Sequence, residues 1–318
     1  MNKLTSEMIK ARAYELGAQV CGIGGLELFA SESPQRDPKS ILPAARSIIG
    51  FGFAVPRGLY YAMARGSAAY GYTTLGVKYL DEETAEIFLL KMGGLIEDHG
   101  YDACLQKSVP NLRVKSDKET NPEVKYTYEL IYAEPVASGK PAPDVIIDFG
   151  VATEACGIGC RGKSGHIISP KYGPFMRYCF IITDAPLELD SPITESLCDG
   201  CMECAAACPG RAISESGLDS WQCAVYYKGA HKSNPCMNGD AAAKFLAGDP
   251  ERDEILDGSK RFDAESARKI YPKLNFLPQT QWGYAPCLCR RACDIACFNH
   301  LAKRLGQKPI PVELPKYI

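Results

Sequence analysis

Four cysteines spaced Cys198-x2-Cys201-x2-Cys204-x3-Cys208, with Pro209 directly after them, constrain this chain more than any other feature. Three thiolates this close in sequence can converge on one face of a small inorganic cubane. The longer last gap frees the fourth, and the proline turns the backbone away. Zinc sites prefer two ligand pairs with a longer stretch between them. The run therefore points to a four-iron, four-sulfur cluster, and its fourth cysteine points to a second one.

Ten of the 15 cysteines fall between Cys198 and Cys297. A chain of 318 residues buries a core without covalent staples, so size does not call for disulfides. In a reducing compartment such density fits metal better. The ligands that complete two clusters must come from Cys223, Cys236, Cys287, Cys289, Cys293 and Cys297. Cys293-x3-Cys297 repeats the end of the first run, although Phe298 and not proline follows it. By the crossed logic of two-cluster modules, Cys297 joins Cys198, Cys201 and Cys204. Cys208 then joins Cys223, Cys293 and either Cys289 or Cys287, of which Cys289 is favoured. Cys236 is left as a spare thiol. Cys21, Cys104, Cys156, Cys160 and Cys179 fit ordinary buried thiols.

Hydrophobic residues make up 46% of the chain and charged residues 23%, the balance of a soluble globular protein. The net charge is −2 and the basic residues are scattered, so the electrostatic footprint of a nucleic-acid binder is missing and no nucleic-acid partner is expected. The N-terminal residues run straight into an amphipathic segment without an apolar signal core, which predicts a cytoplasmic protein with no membrane partner.

Thr5 or Ser6 is placed to cap a first helix through Leu16, and Gly17 to end it. Val20–Ile23 and Ile48–Val55 read as strands, as do Tyr126–Tyr132 and Val145–Ile147, with a Pro/Gly-rich connection over Pro135–Pro143. Apolar spacing between Tyr79 and His99 predicts one long helix closed by Gly100. The fold class expected is α+β. A domain over 1–187 precedes a ferredoxin-like cluster module over 188–302 and a tail over 303–318.

The segment Gly157-Ile158-Gly159-Cys160-Arg161-Gly162-Lys163-Ser164-Gly165, followed by Ser169-Pro170-Lys171-Tyr172-Gly173-Pro174, Arg177 and Thr183-Asp184-Ala185-Pro186, leads into the first cysteine run. This order resembles the corrinoid-dependent reductive dehalogenases and their relatives the epoxyqueuosine reductases. The resemblance implies a nitroreductase-like domain that holds cobalamin and is fed by two [4Fe-4S] clusters. It implies cofactor contacts at Gly157, Gly159, Arg161, Gly162, Lys163, Ser164 and Gly165, with Lys163 also facing substrate. The proton donor it implies falls on Tyr79 or Tyr72, or, by analogy with the epoxyqueuosine reductases, on Asp148. The function expected is reductive cleavage of a small-molecule substrate, supplied by a low-potential donor such as ferredoxin or flavodoxin. The alternative is a non-catalytic electron carrier or reductive activator of a redox partner.

Overall fold

The computed structural model describes residues 3–34, 36–107, 112–116, 128–132, 145–237, 244–274, 276–277 and 286–317. Helices and sheet are mixed, as expected. Thr5 caps α1 (Ser6–Glu15), its Oγ1 accepting from the Met8 amide at 3.3 Å, and Gly17 ends the helix at φ 99°. Strand β1 (Val20–Gly24) pairs antiparallel with β2 (Ser47–Ala54), Val20 opposite Gly52 and Gly24 opposite Ile48. Between them, Asp37 caps the short α2 (Pro38–Ile41).

Beyond α3 (Arg57–Ala64), the long helix expected from Tyr79 onward is wound in two ways. Residues Tyr72–Thr84 form a π-helix, and Ala85–Glu97 form α4. Gly100 closes the region at φ 86°. Phe88, Leu89, Met92 and Ile96 of α4 are buried, whereas Ile87 and Leu90 are exposed. Strand β3 (Ala103–Gln106) follows, and then β4 (Leu112–Ser116) pairs antiparallel with β5 (Tyr128–Tyr132). Tyr126 and the connection at Pro135–Pro143 lie outside the described residues. Val145–Ile147 is not a strand; it leads into α5 (Phe149–Ala155), capped by Asp148. The small hairpin of β6 (Cys160–Arg161) and β7 (Ile167–Ile168) precedes β8 (Met176–Thr183). In the main sheet the order is β1-β2-β8-β3, so an inner strand comes from a segment with no strand assigned in the sequence reading.

The chain packs as two compact units whose segments alternate along the sequence. One comprises 1–52, 84–158 and 178–193; the other comprises 53–83, 159–177 and 194–318. The sequence reading had grouped 53–83 and 159–177 with residues 1–187. In the first unit the core includes Ile23, Ile48, Phe51, Met92 and Phe180, with Phe51 edge-on to Phe88 at 4.8 Å. Gly22 of β1 lies so close to the α5 C-terminus that a Cβ there would sit 1.9 Å from the Cys156 carbonyl oxygen. Both partners are backbone, so Gly22→Ala is expected to cost at least about 1–3 kcal/mol. An unchanged denaturation midpoint would contradict that close approach.

In the second unit, Tyr60 stacks on Phe175 at 3.7 Å and Phe175 on Phe298 at 4.3 Å, joining three distant stretches of chain in one apolar cluster. A second cluster gathers Val225, Tyr226, Phe245, Ile255 and Phe262 around the helices Ser220–Tyr227, Arg252–Asp257 and Ala264–Ile270. Among the described residues no helix is long and apolar enough to cross a membrane.

Candidate metal centre

Within the second unit the cysteines sort into two cavities. Cys198, Cys201, Cys204 and Cys297 line one of about 360 Å³. Cys208, Cys223, Cys289 and Cys293 line another of about 410 Å³. The turns that bring the sulfurs together need unusual backbone. Gly200 and Met202 have φ of 75° and 58° within the first run, and Arg290 and Arg291 have 57° and 50° between Cys289 and Cys293. A left-handed non-glycine residue costs about 1–3 kcal/mol, which the surrounding packing must offset. After Met202 the chain enters the short helix Glu203–Ala206, and Cys293 and Cys297 lie one turn apart on Ala292–Leu301.

Burial pushes the Cys204 thiol up to about 11 and the Cys223 thiol up to about 12. It also raises Cys201, Cys208, Cys293 and Cys297; for Cys289 the hydrogen bond with Cys287 leads and burial adds. Those metal-free thiols are protonated at neutral pH, so metal binding must release protons. Each cavity offers four sulfur donors, the first three from one run plus Cys297, the second Cys208 and Cys223 plus the pair Cys289 and Cys293, a donor chemistry that fits a four-iron cluster. Cys287 is buried, with its sulfur 3.7 Å from that of Cys289, but is not among the residues lining the second cavity. Cys236 lines neither cavity. Cys21, Cys156, Cys160 and Cys179 are buried, and Cys104 is half-buried.

A charged network that the sequence does not announce adjoins the second cavity, which its members His166 and Arg291 line. Arg291 Nε donates to Asp294 Oδ2 at 2.7 Å, and its Nη2 lies 3.0 Å from His166 Nε2. His166 Nδ1 lies 2.8 Å from Asp294 Oδ1. The Asp294 side chain is fully buried. Burial alone would raise its pKa, but Arg291 and His166 more than reverse this and hold it at about 2. The available signals were slight: one of only four histidines following the glycine segment, and an Arg-Arg pair amid cysteine ligands.

The residues predicted to act on substrate or corrinoid are placed otherwise. Tyr72 is buried against Tyr60, with the Arg291 guanidinium 5.0 Å above its ring, and burial raises its pKa. Tyr79 is exposed beside Lys78. Asp148 belongs to the first unit, where Oδ1 accepts from the Gly150 and Val151 amides and Oδ2 from Arg36. Arg161 is exposed. Lys163 reaches the Glu215 carbonyl and carboxylate, and with Gly162 and Ser164 it lines the Cys198 cavity.

The glycines test the corrinoid expectation. A Cβ at Gly157 would meet the Ser191 carbonyl oxygen at 2.5 Å, one at Gly162 the Ile168 side chain at 2.8 Å, and one at Gly165 that of Leu218 at 3.1 Å. Gly159 is itself buried. The space beside the three tested glycines is filled by the chain's own atoms, so the segment does not fit as a corrinoid cradle.

Comparison with known proteins agrees with the cysteine chemistry. The 4Fe-4S binding domain family matches residues 192–214. An epoxyqueuosine reductase of Listeria monocytogenes is 26% identical over 249 residues, covering 70% of this chain and 56% of that protein. Among solved structures, a reductive dehalogenase associated with B12-dependent dehalogenation aligns with 95% of this chain and 37% of its own, at 18% identity and a TM-score of 0.46. An epoxyqueuosine reductase solved with an epoxyqueuosine-modified tRNA stem loop aligns with 93% and 81%, at 17% identity and a TM-score of 0.43. The chain spans from a quarter to somewhat over half the length of the curated relatives it first matches. That an epoxyqueuosine reductase has been solved holding a tRNA stem loop contradicts the expectation of a small-molecule substrate and no nucleic-acid partner. Net charge is a sum over the whole chain and does not report local basic surface. Taken together, the cluster motif and the matched sequences show a chain that carries a 4Fe-4S binding motif and is similar in sequence to the epoxyqueuosine reductases.

Proposed function

We propose that this chain is an iron–sulfur reductase acting on a modified nucleoside carried by RNA. Two four-iron clusters, one on Cys198, Cys201, Cys204 and Cys297 and one on Cys208, Cys223, Cys289 and Cys293, supply its electrons. The observation that carries this reading is the sorting of eight thiols into two four-sulfur cavities. Each four-iron cluster passes one electron at a time, so two serve a two-electron reduction. For an epoxide, two electrons and two protons remove the bridging oxygen as water and leave a carbon–carbon double bond. Cobalamin, implied by the resemblance, belongs to this reading as a component to be supplied in the assay, since the glycine segment does not cradle it.

The test is an anaerobic incubation of cluster-loaded protein with a chemical reductant, cobalamin and an epoxyqueuosine-bearing tRNA stem loop. Mass spectrometry of the nucleosides is expected to show loss of one oxygen atom. Protein with its full iron and sulfide that leaves the nucleoside untouched would overturn the reading and favour an electron carrier.

A further inference from the structure

An open polar cleft of about 620 Å³ lies beside the hairpin Ile213–Ser214/Gly217–Leu218, next to the second cysteine cavity, with which it shares Leu218. Its lining includes Arg211, Ser214, Ser216, Asp219 and Arg261. Some arginines elsewhere meet carboxylates, as Arg36 does Asp148, Arg177 Asp81 and Arg291 Asp294, whereas Arg57, Arg290 and Arg304 donate to backbone carbonyls. Among the described residues, no carboxylate forms an ion pair with Arg211 or Arg261.

Both residues line this one cleft, and the Arg261 side chain is tied to the Arg211 backbone. Arg261 Nη1 donates to the Arg211 carbonyl at 2.8 Å. Arg211 is kept at φ 48°, a left-handed conformation disfavoured for a side chain of this size. Its Nε is buried and has no hydrogen-bond partner among the described residues, leaving a desolvated donor that an incoming acceptor would satisfy. The Ser214 and Ser216 hydroxyls lie 2.7 Å apart on the same lining and add donors. Two acids lie nearby: Asp219 Oδ1 accepts from the Gln222 amide at 3.0 Å, and Asp257 Oδ1 accepts from the Ser259 amide at 2.8 Å, with its pKa lowered first by Ser259 and in part by the charge of Arg211.

Two guanidinium forks with neighbouring hydroxyls match the tetrahedral oxygens of a phosphate better than a planar carboxylate or a neutral ligand. We propose that this cleft seats a backbone phosphodiester of the RNA partner. The inference rests on the reading that the substrate is carried on RNA. Contacts to phosphate position a nucleic acid without reading its sequence, so a cleft beside the second cysteine cavity can hold the strand while the nucleoside is presented elsewhere.

The experiment follows binding of a tRNA anticodon stem loop to the full-length, cluster-loaded chain by anaerobic fluorescence anisotropy over a range of KCl concentrations. Arg261→Ala is expected to weaken binding about tenfold and to lower the slope of log K against log salt by about one, equally for modified and unmodified loops. Arg261→Lys should recover the slope. Iron content and melting temperature confirm that each variant is folded, and Ser216→Ala gives a second, milder loss. Wild-type affinity and slope in folded Arg261→Ala would overturn the site. Saturable binding of inorganic phosphate that depends on Arg261, without any effect on the stem loop, would assign a free anion and also overturn it. Arg261-dependent binding of a loop that is never reduced would leave the cleft standing and sink the proposed function.

Discussion

Cys208→Ala is expected to lower the iron content of anaerobically reconstituted protein from about eight atoms per chain to about four, and to abolish reductase turnover. Cys208 is the one cysteine of the first run that lines the second cavity, with Cys223, Cys289 and Cys293. Its loss leaves the Cys198, Cys201, Cys204 and Cys297 set intact. Cys297→Ala should remove the other half of the iron, although Cys297 is only four residues from Cys293. The decisive comparison is Cys289→Ala with Cys287→Ala. The first should behave as Cys208→Ala does, and the second should retain its iron, because Cys287 is not among the residues lining that cavity. Iron lost from Cys287→Ala and kept by Cys289→Ala would transfer the ligand to Cys287. Similar iron in all four variants would end the two-cluster assignment.

Removing the Asp294 carboxylate should have the largest effect on stability of any substitution outside the thiols. Asp294 is fully buried, and Arg291 beside it has only 13% of its side chain exposed. Asp294→Ala leaves that guanidinium desolvated with its carboxylate gone, and breaking a buried pair from one side costs about 3–5 kcal/mol. For a unit of this size the melting temperature of the loaded protein should fall by on the order of 10 °C. Asp294→Asn keeps the volume and an acceptor oxygen and should recover part of the loss. A melting temperature unchanged by Asp294→Ala would show that the pair is better solvated than its burial indicates.

Local signals in the sequence were read with the most success. Thr5 at the start of α1, Gly17 at its end, and the apolar runs of β1 and β2 each act through their own backbone or near neighbours, so a short window holds the necessary information. Strand β8 escaped because all but Arg177 of Met176–Thr183 is buried. A strand covered on both faces shows no alternation to detect. Helical periodicity was genuine at Phe88, Met92 and Ile96, yet it could not reveal that residues 72–84 take the wider π winding or that Ile87 and Leu90 face outward. The cysteine groups could be proposed from spacing because inorganic ligation is a strong, stereotyped constraint. His166 and Asp294 are 128 residues apart in number, and nothing local to either announces the other. Total charge hides local placement in the same way, since a sum of −2 averages away two arginines that line one cleft.

The alternation of segments between the two units has a consequence for how this chain can be made and divided. Tyr60, Tyr72 and Phe175 belong to the same apolar cluster as Ile295 and Phe298 on and beside the helix carrying Cys293 and Cys297. During synthesis on the ribosome the early members of that cluster emerge long before their partners, and must wait for the closing helix. A fragment cut at residue 188 to isolate an electron-transfer module would strand that helix without its aromatic backing. Shuffling this protein by whole segments would therefore fail where simple beads on a string succeed, because its cysteine-bearing unit is stitched from segments spread along the chain.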